Sequence, residues 1–290
     1  MLTERSVKIE SQRLRDLKLV VETYKLIAAG SMRRIRGSVV SNRDFHEGLN
    51  RIFQEVKYSY FVAGRKPAVK SEKFAVSSLT VVPRNGKIVY MLLSANTGLY
   101  GDVVDSTFRI FLDEAKRGRA DLVVVGKIGK VLMESEFPKT PYIYFDFSDT
   151  AMEHDALKKI YEAVGHYEKV VAFYGLFKSL FSQMPMQTVV SGETLPAVLP
   201  DKKRLYLFEP TFEKVAFFFE TEIFASLLEQ IFNESRLAKL ASRLLLLDRS
   251  SVRTDRESQK MFLLERMFWH RSFNRKQINA LAGMALWYSD

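Results

Sequence analysis

Two glycines three residues apart stand between an apolar, strand-like run and a helical segment, in the stretch SANTGLYGD at residues 94–102. A glycine loop at such a junction can bind a phosphate, because backbone N–H groups and the helix N-terminus face the anion. The spacing of Gly98 and Gly101 fits neither the three-glycine dinucleotide fingerprint nor a Walker loop, which ends in Gly-Lys-Ser/Thr. Asp102 would also place a carboxylate against the anion. We therefore expect a turn, with Asp102 as the N-cap of the following helix.

The other residue types that carry chemistry are scattered along the chain. The four histidines stand on different segments, none at ligand spacing from another histidine or a carboxylate, which predicts no metal site. The chain has no cysteine, and no serine lies in a G-x-S-x-G elbow. GKIG at 126–129 is typical of a turn from strand to helix, although its lysine could touch an anion. The sequence predicts no catalytic residue, no cofactor and no metal in this chain.

A basic cluster, MRRIRG at residues 32–37, is the strongest candidate for contact with a partner. The formal net charge of +10 and the pI near 9.6 fit binding to nucleic acid, to an acidic protein or to anionic lipid equally, and leave open a basic surface without a partner. The cluster lacks the interleaved aromatic residues and known motifs typical of nucleic-acid readers. A solvated helix face and a protein contact both remain open for Arg33, Arg34 and Arg36.

Apolar residues in alternating steps of three and four predict one long N-terminal helix. The series is Leu14, Leu17, Val21, Tyr24, Ala28, Ser31, Ile35, Ser38, Asn42, Phe45, Leu49, Ile52 and Val56. Such a heptad seam is typical of a coiled coil, and about 60 residues would extend roughly 90 Å. Because Ser31, Ser38 and Asn42 fall together, the helix is expected to pack weakly against its own chain between residues 30 and 42.

The C-terminal part of the chain predicts a second long amphipathic helix. It starts near Thr211, and its polar stretch DRSSVRTDRES, at 248–258, is expected to bend or interrupt it. Two amphipathic helices at opposite ends of a chain bury their apolar stripes most simply by winding antiparallel around each other.

The middle of the chain alternates strands with helices. Strands are predicted at 87–94, 121–126, 142–147 and 169–177, edge strands at 186–190 and 204–208, and helices at 103–116, 128–135 and 152–164. Such alternation predicts a largely parallel sheet with crossover helices. The predicted fold is therefore α/β: a Rossmann-like domain at 63–210, inserted into an antiparallel coiled coil formed by 1–62 and 211–290.

Taken together, these segments resemble the gamma subunit of the F-type rotary ATP synthase. The N-terminal helix of that family carries K-M-V-A-A-x-K-L-R-R, matched by KLIAAGSMRR at 25–34, and its G-L-C-G and G-[KR]-K-G are matched by GLYG at 98–101 and GKIG at 126–129. FYGLFKSLFSQMP at 173–185 and AGMAL at 282–286 match later motifs of the family. The order and spacing of the motifs are preserved over essentially the whole chain.

Some positions depart from the family pattern. Tyr100 replaces the cysteine of the loop, Asp102 replaces the glycine that follows it, and Ser31 replaces the lysine of the N-terminal motif. The C-terminal helix also lacks the R-Q-x-x-I-T-x-E-L pattern. The resemblance is therefore weakest in the part of the two helices that, in this family, turns inside the ring of catalytic subunits, which we name the sleeve.

The resemblance implies a rotor shaft without an active site of its own. Its partners would be alpha- and beta-type nucleotide-binding subunits around the coiled coil, a small epsilon-like subunit, and a membrane ring of proton-carrying subunits; nucleic acid would not be a partner. The protein would lie on the cytoplasmic side of a membrane, attached peripherally through the ring.

The resemblance also implies roles for individual residues. Arg33, Arg34 and Arg36 would contact acidic loops of the sleeve, and the segment from Met284 to Trp287 would lie in an apolar collar. Gly98, Leu99, Tyr100 and Gly101, which we name the foot loop, would form a turn in the α/β domain. Two alternatives stay open: a basic coiled-coil scaffold that binds nucleic acid, and the rotor of an ATPase motor that is not coupled to protons.

Overall fold

The computed structural model describes residues 3–62, 84–149, 152–190 and 206–287. The helices are α1 (Glu4–Val62), α2 (Val103–Arg117), α3 (Lys127–Glu136), α4 (His154–Val164) and α5 (Phe212–Trp287). The strands are β1 (Ile88–Leu93), β2 (Asp121–Val125), β3 (Ile143–Phe145), β4 (Lys169–Phe177) and β5 (Gln183–Val189). None of the described helices contains a stretch long and apolar enough to cross a membrane.

The five strands form one sheet in the order β3-β2-β1-β4-β5. β1 pairs in parallel with β2 and β4, and β2 pairs in parallel with β3, whereas β5 runs antiparallel to β4. The predicted crossovers are thus confirmed. The strand predicted at 204–208 is not: residues 206–208 are irregular, and 204 and 205 lie outside the described residues.

Both faces of the sheet are covered, which explains why its strands read as continuous apolar runs. On one face, α2 and α3 pack Phe108, Phe111 and Met133 against Leu92 and Phe173. The opposite face carries α4 and α5, whose contributions to that core are Ile160, Val164, Leu228, Ile231 and Phe232. The last helix therefore belongs to the core of the α/β domain.

The chain divides into two compact units, a terminal unit of Met1–Ala29 with Leu244–Asp290 and a central unit of Gly30–Arg243. In the terminal unit, α1 and α5 are joined by ion pairs from Lys18 to Asp255 and from Lys25 to Asp248, each at 2.6 Å. From the first ion pair to the second, the position on α1 advances by seven residues, from 18 to 25, while the position on α5 goes back by seven, from 255 to 248. The two segments of this unit therefore run antiparallel, as predicted.

In the central unit, aromatic side chains pair α1 and α5 in the same antiparallel direction. Phe53 stacks on Phe219 with ring centroids 5.4 Å apart, and Tyr60 stacks on Phe212 at 3.7 Å. Seven residues along α1 again correspond to seven residues back along α5. Offset stacks of this kind add about 0.5–1.5 kcal/mol each beyond the buried area.

The seam predicted on α1 is half right. Its first heptad position is correct: Leu14, Val21, Ala28, Ile35, Asn42, Leu49 and Val56 are buried or half-buried. Its second position is wrong at five of its six residues: Leu17, Tyr24, Ser38, Phe45 and Ile52 are exposed, and only Ser31 is buried. The side chains that contact α5 come one residue later: Lys18, Lys25, Met32, Val39, His46 and Phe53. Three of these six are lysine or histidine, which a count of apolar residues passes over.

Two further expectations about the long helices are wrong. The segment 30–42 does not pack weakly, because Ile35 and Val39 are buried against Leu237 and Leu240 of α5. The polar stretch at 248–258 does not interrupt α5, which continues as one helix through it. Ser251, within that stretch, donates a hydrogen bond to Glu22, so polar residues hold this part of the pair together.

Candidate functional site

The sheet has a topological switch point at the carboxyl ends of β1 and β4, where crossovers leave to opposite faces. Doubly wound α/β proteins commonly bind ligands at this point. In this chain, α5 lies there instead. Gly175 of β4 shows how close the helix comes: a Cβ at this glycine would lie 3.5 Å from the Cβ of Ala238. The chain's own last helix therefore occupies the crevice at the switch point.

A buried ion pair joins α5 to the sheet at this point. Lys239 donates from Nζ to the backbone carbonyl of Ser94 at 2.7 Å and lies 3.3 Å from Oδ1 of Asp149. The side chains of Lys239 and Asp149 are only 10% and 4% exposed. The other carboxylate oxygen of Asp149 accepts hydrogen bonds from the backbone N–H groups of Asn96 and Thr97, at 2.9 and 2.8 Å. Asp149 thus fixes the start of the loop and the helix together.

The surroundings keep Asp149 ionised. Burial alone would raise the pKa of Asp149, but attraction to Lys239 and hydrogen bonds from Thr97 and Asn96 outweigh burial and hold the pKa below its usual value. Burial lowers the pKa of Lys239, a shift that the charge of Asp149 opposes. Each charge depends on the other, because a buried ion without its partner loses hydration with nothing to replace it.

The foot loop is held against α5 by the next turn of the helix. Ser242 donates a hydrogen bond to the carbonyl of Tyr100 at 2.6 Å, and Arg243 donates to Gly98 O and to Thr97 Oγ1, each at 2.8 Å. The Arg243 guanidinium also stacks over the Tyr100 ring, 4.0 Å from its centroid. Burial raises the pKa of Tyr100 to about 12, so its hydroxyl stays neutral. These contacts fix the foot loop to α5.

The backbone of the foot loop explains its glycines. Gly101 has φ +59°, which favours glycine, and a Cβ there would lie 2.7 Å from Ser242 Oγ. Leu99 has φ +69° and a half-exposed side chain. Asp102 stands at the N-cap of α2 as predicted, but its side chain makes no capping hydrogen bond, so that part of the prediction is wrong.

The structure does not bring the other predicted site residues into this cluster. Arg33, Arg34 and Arg36 are exposed on α1. Met284 is 61% exposed near the end of α5, and the side chain of Trp287 lies outside the described residues. Among the described residues, no His, Cys, Asp or Glu side chains come together in a group that could hold a metal ion.

Sequence reasoning missed Lys239, Asp149 and Arg243. The signal that could have found Lys239 is its position between Leu237 and Leu240, on a strongly apolar turn of α5. A lysine at such a position needs a buried acceptor. The sequence alone does not say which of the distant carboxylates supplies it.

With this geometry in view, comparison with known proteins decides the family. The family model described as ATP synthase matches residues 3–262, which include α1, the whole α/β domain and most of α5. The chain belongs to the ATP synthase family. This match spans both helices and the sheet between them, so the buried ion pair is internal to the region that the family shares.

Curated relatives in the ATP synthase family are gamma chains. The ATP synthase gamma chain of Mycoplasma mobile is 23% identical over 264 residues, which cover 84% of this chain and 86% of the relative. That of Desulfitobacterium hafniense is 20% identical over 241 residues, which cover 79% and 81%. The resemblance to the gamma subunit is thus confirmed.

Solved structures from ATP synthases share the fold. The chain matches one in the rotor of the Euglena gracilis mitochondrial ATP synthase with a TM-score of 0.61, at 14% identity over 93% of this chain and 98% of that one. It matches another in the central stalk and c-ring of the Tetrahymena thermophila mitochondrial enzyme with a TM-score of 0.59, at 18% identity over 80% and 99%. A largely parallel α/β sheet with long N-terminal and C-terminal helices is therefore the fold that this chain shares with the ATP synthase central stalk.

Proposed function

We propose that this chain is the central rotor shaft of a rotary ATP synthase or ATPase. It couples rotation of a membrane ring of proton-carrying subunits to conformational change in the nucleotide-binding subunits, and it contributes no catalytic residue itself. The observation that carries this proposal is the family match over residues 3–262, which spans both long helices together with the α/β domain. The agreement of α1 and α5 with the predicted antiparallel pairing supports it.

A shaft works by presenting different faces to its surroundings as it turns. Each catalytic subunit then meets a different surface of the shaft, and its open and closed states shift in population. The α/β domain, as the foot, receives torque from the ring. Two contacts pass that torque to α5: the ion pair between Lys239 and Asp149, and the hydrogen bond that Arg243 of α5 donates to Gly98 of the foot loop.

The partners follow from the same proposal. The shaft sits within alternating alpha- and beta-type subunits, and its foot rests on the membrane ring beside a small epsilon-like subunit. The chain is peripheral to the membrane, on its cytoplasmic side. The structures it matches support these partners in general terms, since they come from ATP synthase rotor and central-stalk assemblies.

The basic cluster on α1 provides the sharpest test of contact with the sleeve. Arg33, Arg34 and Arg36 are exposed and carry three positive charges within four residues. We expect the triple replacement by alanine to weaken assembly with the nucleotide-binding subunits about tenfold, since exposed ion pairs contribute about 0.2–1 kcal/mol each. The dissociation constant of the reconstituted complex and its rate of ATP hydrolysis report the change.

A matched control exists at the end of α2. Lys116, Arg117 and Arg119 are also exposed and also carry three charges within four residues, but they lie on the foot. Their replacement by alanine removes the same charge and is expected to leave affinity for the nucleotide-binding subunits unchanged. If both triple variants assemble and hydrolyse ATP like the unmodified protein, Arg33, Arg34 and Arg36 do not contact the sleeve.

We expect the C-terminal end of α5 to contact an apolar collar of the sleeve. Met284 is exposed on the final turns of the helix. Contact with an apolar surface of a partner would remove this apolar side chain from water, which is favourable. Trp287 belongs to the same proposed contact by its residue type and position alone.

A further inference from the structure

In the part of the chain that the structure describes, β3 forms an edge of the sheet. Within the described residues, β3 pairs with β2 and with no other strand. Gly126 donates to the carbonyl of Phe145 at 3.0 Å, so the backbone groups of Phe145 point toward β2. Because successive residues of a strand point their N–H and C=O groups to opposite sides, the N–H and C=O of Tyr144 point away from β2. An unpaired donor and acceptor at a sheet edge are a template for another strand.

A groove lies beside this edge, between β3 and the first turns of α4. Its volume is about 740 Å³. Its lining includes Tyr144, Asp146, Glu153, Asp155 and Lys159. A channel between an edge strand and a helix is the arrangement in which extended peptides bind by strand addition: backbone hydrogen bonds give affinity, and the helix side gives specificity. We name it the β3 groove.

The charge of the β3 groove contrasts with the charge of the protein. The lining contains three carboxylates, those of Asp146, Glu153 and Asp155, and one lysine, whereas the whole chain carries a net charge of +10. Lys127 lies 3.5 Å from Asp146 and offsets one of the three. Among the residues that the structure describes, neither Glu153 nor Asp155 has a lysine or arginine within ion-pair distance. An acidic groove on a basic protein favours a basic occupant.

We propose that the β3 groove binds an extended, basic segment of a second polypeptide, which adds to the sheet as a sixth strand beside Tyr144. The backbone of Tyr144 supplies the pairing, and Glu153 and Asp155 select lysine or arginine side chains. Nucleic acid is disfavoured as the occupant, because its phosphates would meet these carboxylates. The inference concerns the α/β domain only and does not depend on the role of α1 and α5 in a rotor.

Replacing Tyr144 with proline tests the backbone contact directly. Proline removes the outward N–H and leaves the hydrogen bonds between β2 and β3 in place, since Tyr144 donates none to β2. Tyr144→Ala is the matched control, because it removes the same aromatic side chain and keeps the N–H. A difference between the two variants therefore measures the pairing at the edge, while a loss common to both reports the side chain.

The probe is a carbodiimide, which joins carboxylates to lysines in direct contact without a spacer. It is applied to the full-length tagged protein in its native complex, and the cross-linked peptides are identified by mass spectrometry. We expect Glu153 or Asp155 to be joined to a lysine of one second chain, with the yield at least fivefold lower in Tyr144→Pro than in Tyr144→Ala. Glu162→Gln, which removes an exposed carboxylate elsewhere on α4, is expected to leave the yield unchanged.

Other results overturn the proposal. Equal yields from the proline and alanine variants exclude strand addition at Tyr144. Cross-links from Glu153 and Asp155 to lysines of this same chain other than Lys158 and Lys159, which neighbour Asp155 on α4, show that its own segment fills the groove. Cross-links between two copies of the chain show self-association. Since each result is obtained whether or not rotor subunits are present in the complex, failure here leaves the proposed function standing.

Discussion

Replacement of Lys239 by methionine is expected to lower the free energy of unfolding by about 3–5 kcal/mol, because it leaves the carboxylate of Asp149 buried without a counter-ion. Asp149 is 4% exposed, so water cannot take the place of the ammonium group. The carbonyl of Ser94 also loses its hydrogen bond from Lys239. Methionine is close to lysine in length and keeps the contact with the apolar part of the site. Urea unfolding at neutral pH, followed by circular dichroism, measures the change as a lower midpoint with an unchanged slope.

The double variant Lys239→Met with Asp149→Asn separates the charge effect from the loss of packing. Asparagine keeps an oxygen that can accept from Asn96 and Thr97 but carries no charge. We expect it to restore at least about 1.5 kcal/mol relative to Lys239→Met alone, a coupling of the size found for residues in one network. Equal stability of the single and double variants would show that the ion pair is not what holds α5 to the loop.

Replacement of Gly126 by alanine is expected to destabilise the α/β domain by roughly 3 kcal/mol. Gly126 has φ +100° and ψ 145°, a conformation that residues with a Cβ rarely adopt. A Cβ there would lie 2.8 Å from the backbone nitrogen of Ala95, and backbone cannot rotate away as a side chain can. The strain therefore falls on the junction of β1, β2 and β3, since Gly126 also donates to Phe145.

Gly98→Ala is the control for this substitution. Gly98 lies in the foot loop, has no positive φ, and a Cβ there would meet nothing within 4 Å. Its replacement should change the free energy of unfolding by less than about 1 kcal/mol. Thermal unfolding of both variants compares them, and a Gly126→Ala protein as stable as Gly98→Ala would contradict the conformation assigned to Gly126.

The sequence predicted the α/β domain well, for a physical reason. A strand covered on both faces must be apolar along its whole length, so β1, β2 and β4 stand out as short runs between amphipathic helices. The seam of α1 was harder to place. Leu17 and Tyr24 satisfy an apolar pattern yet are exposed, whereas Lys18 and Lys25 contact α5 through ion pairs. A pattern of apolar residues does not identify positions where charged side chains make the contact between helices.

The buried ion pair between Lys239 and Asp149 could not be predicted from local sequence pattern. Lys239 lies on α5 and Asp149 in the loop after β3, 90 residues apart in the chain. The apolar turn around Lys239 indicates that it needs a buried acceptor, but nothing in that segment identifies Asp149 as the acceptor. Only the fold brings them together at the end of β1. The glycine spacing of the foot loop argues against the known phosphate loops. No local pattern shows that Ser242 and Arg243 hold this loop, because both lie more than 140 residues away on α5.

Purification of the tagged protein from its native cell at low salt, with every co-purifying chain quantified by mass spectrometry, tests the rotor shaft most directly. The account predicts two related nucleotide-binding chains, each in large excess over this one as expected for a single shaft inside a ring, together with membrane-ring subunits. Recovery of the ring subunits distinguishes a coupled rotor from an uncoupled ATPase motor. Recovery of nucleic acid, bound with an affinity that falls steeply with salt and without any nucleotide-binding chain, would contradict the account and favour a basic scaffold.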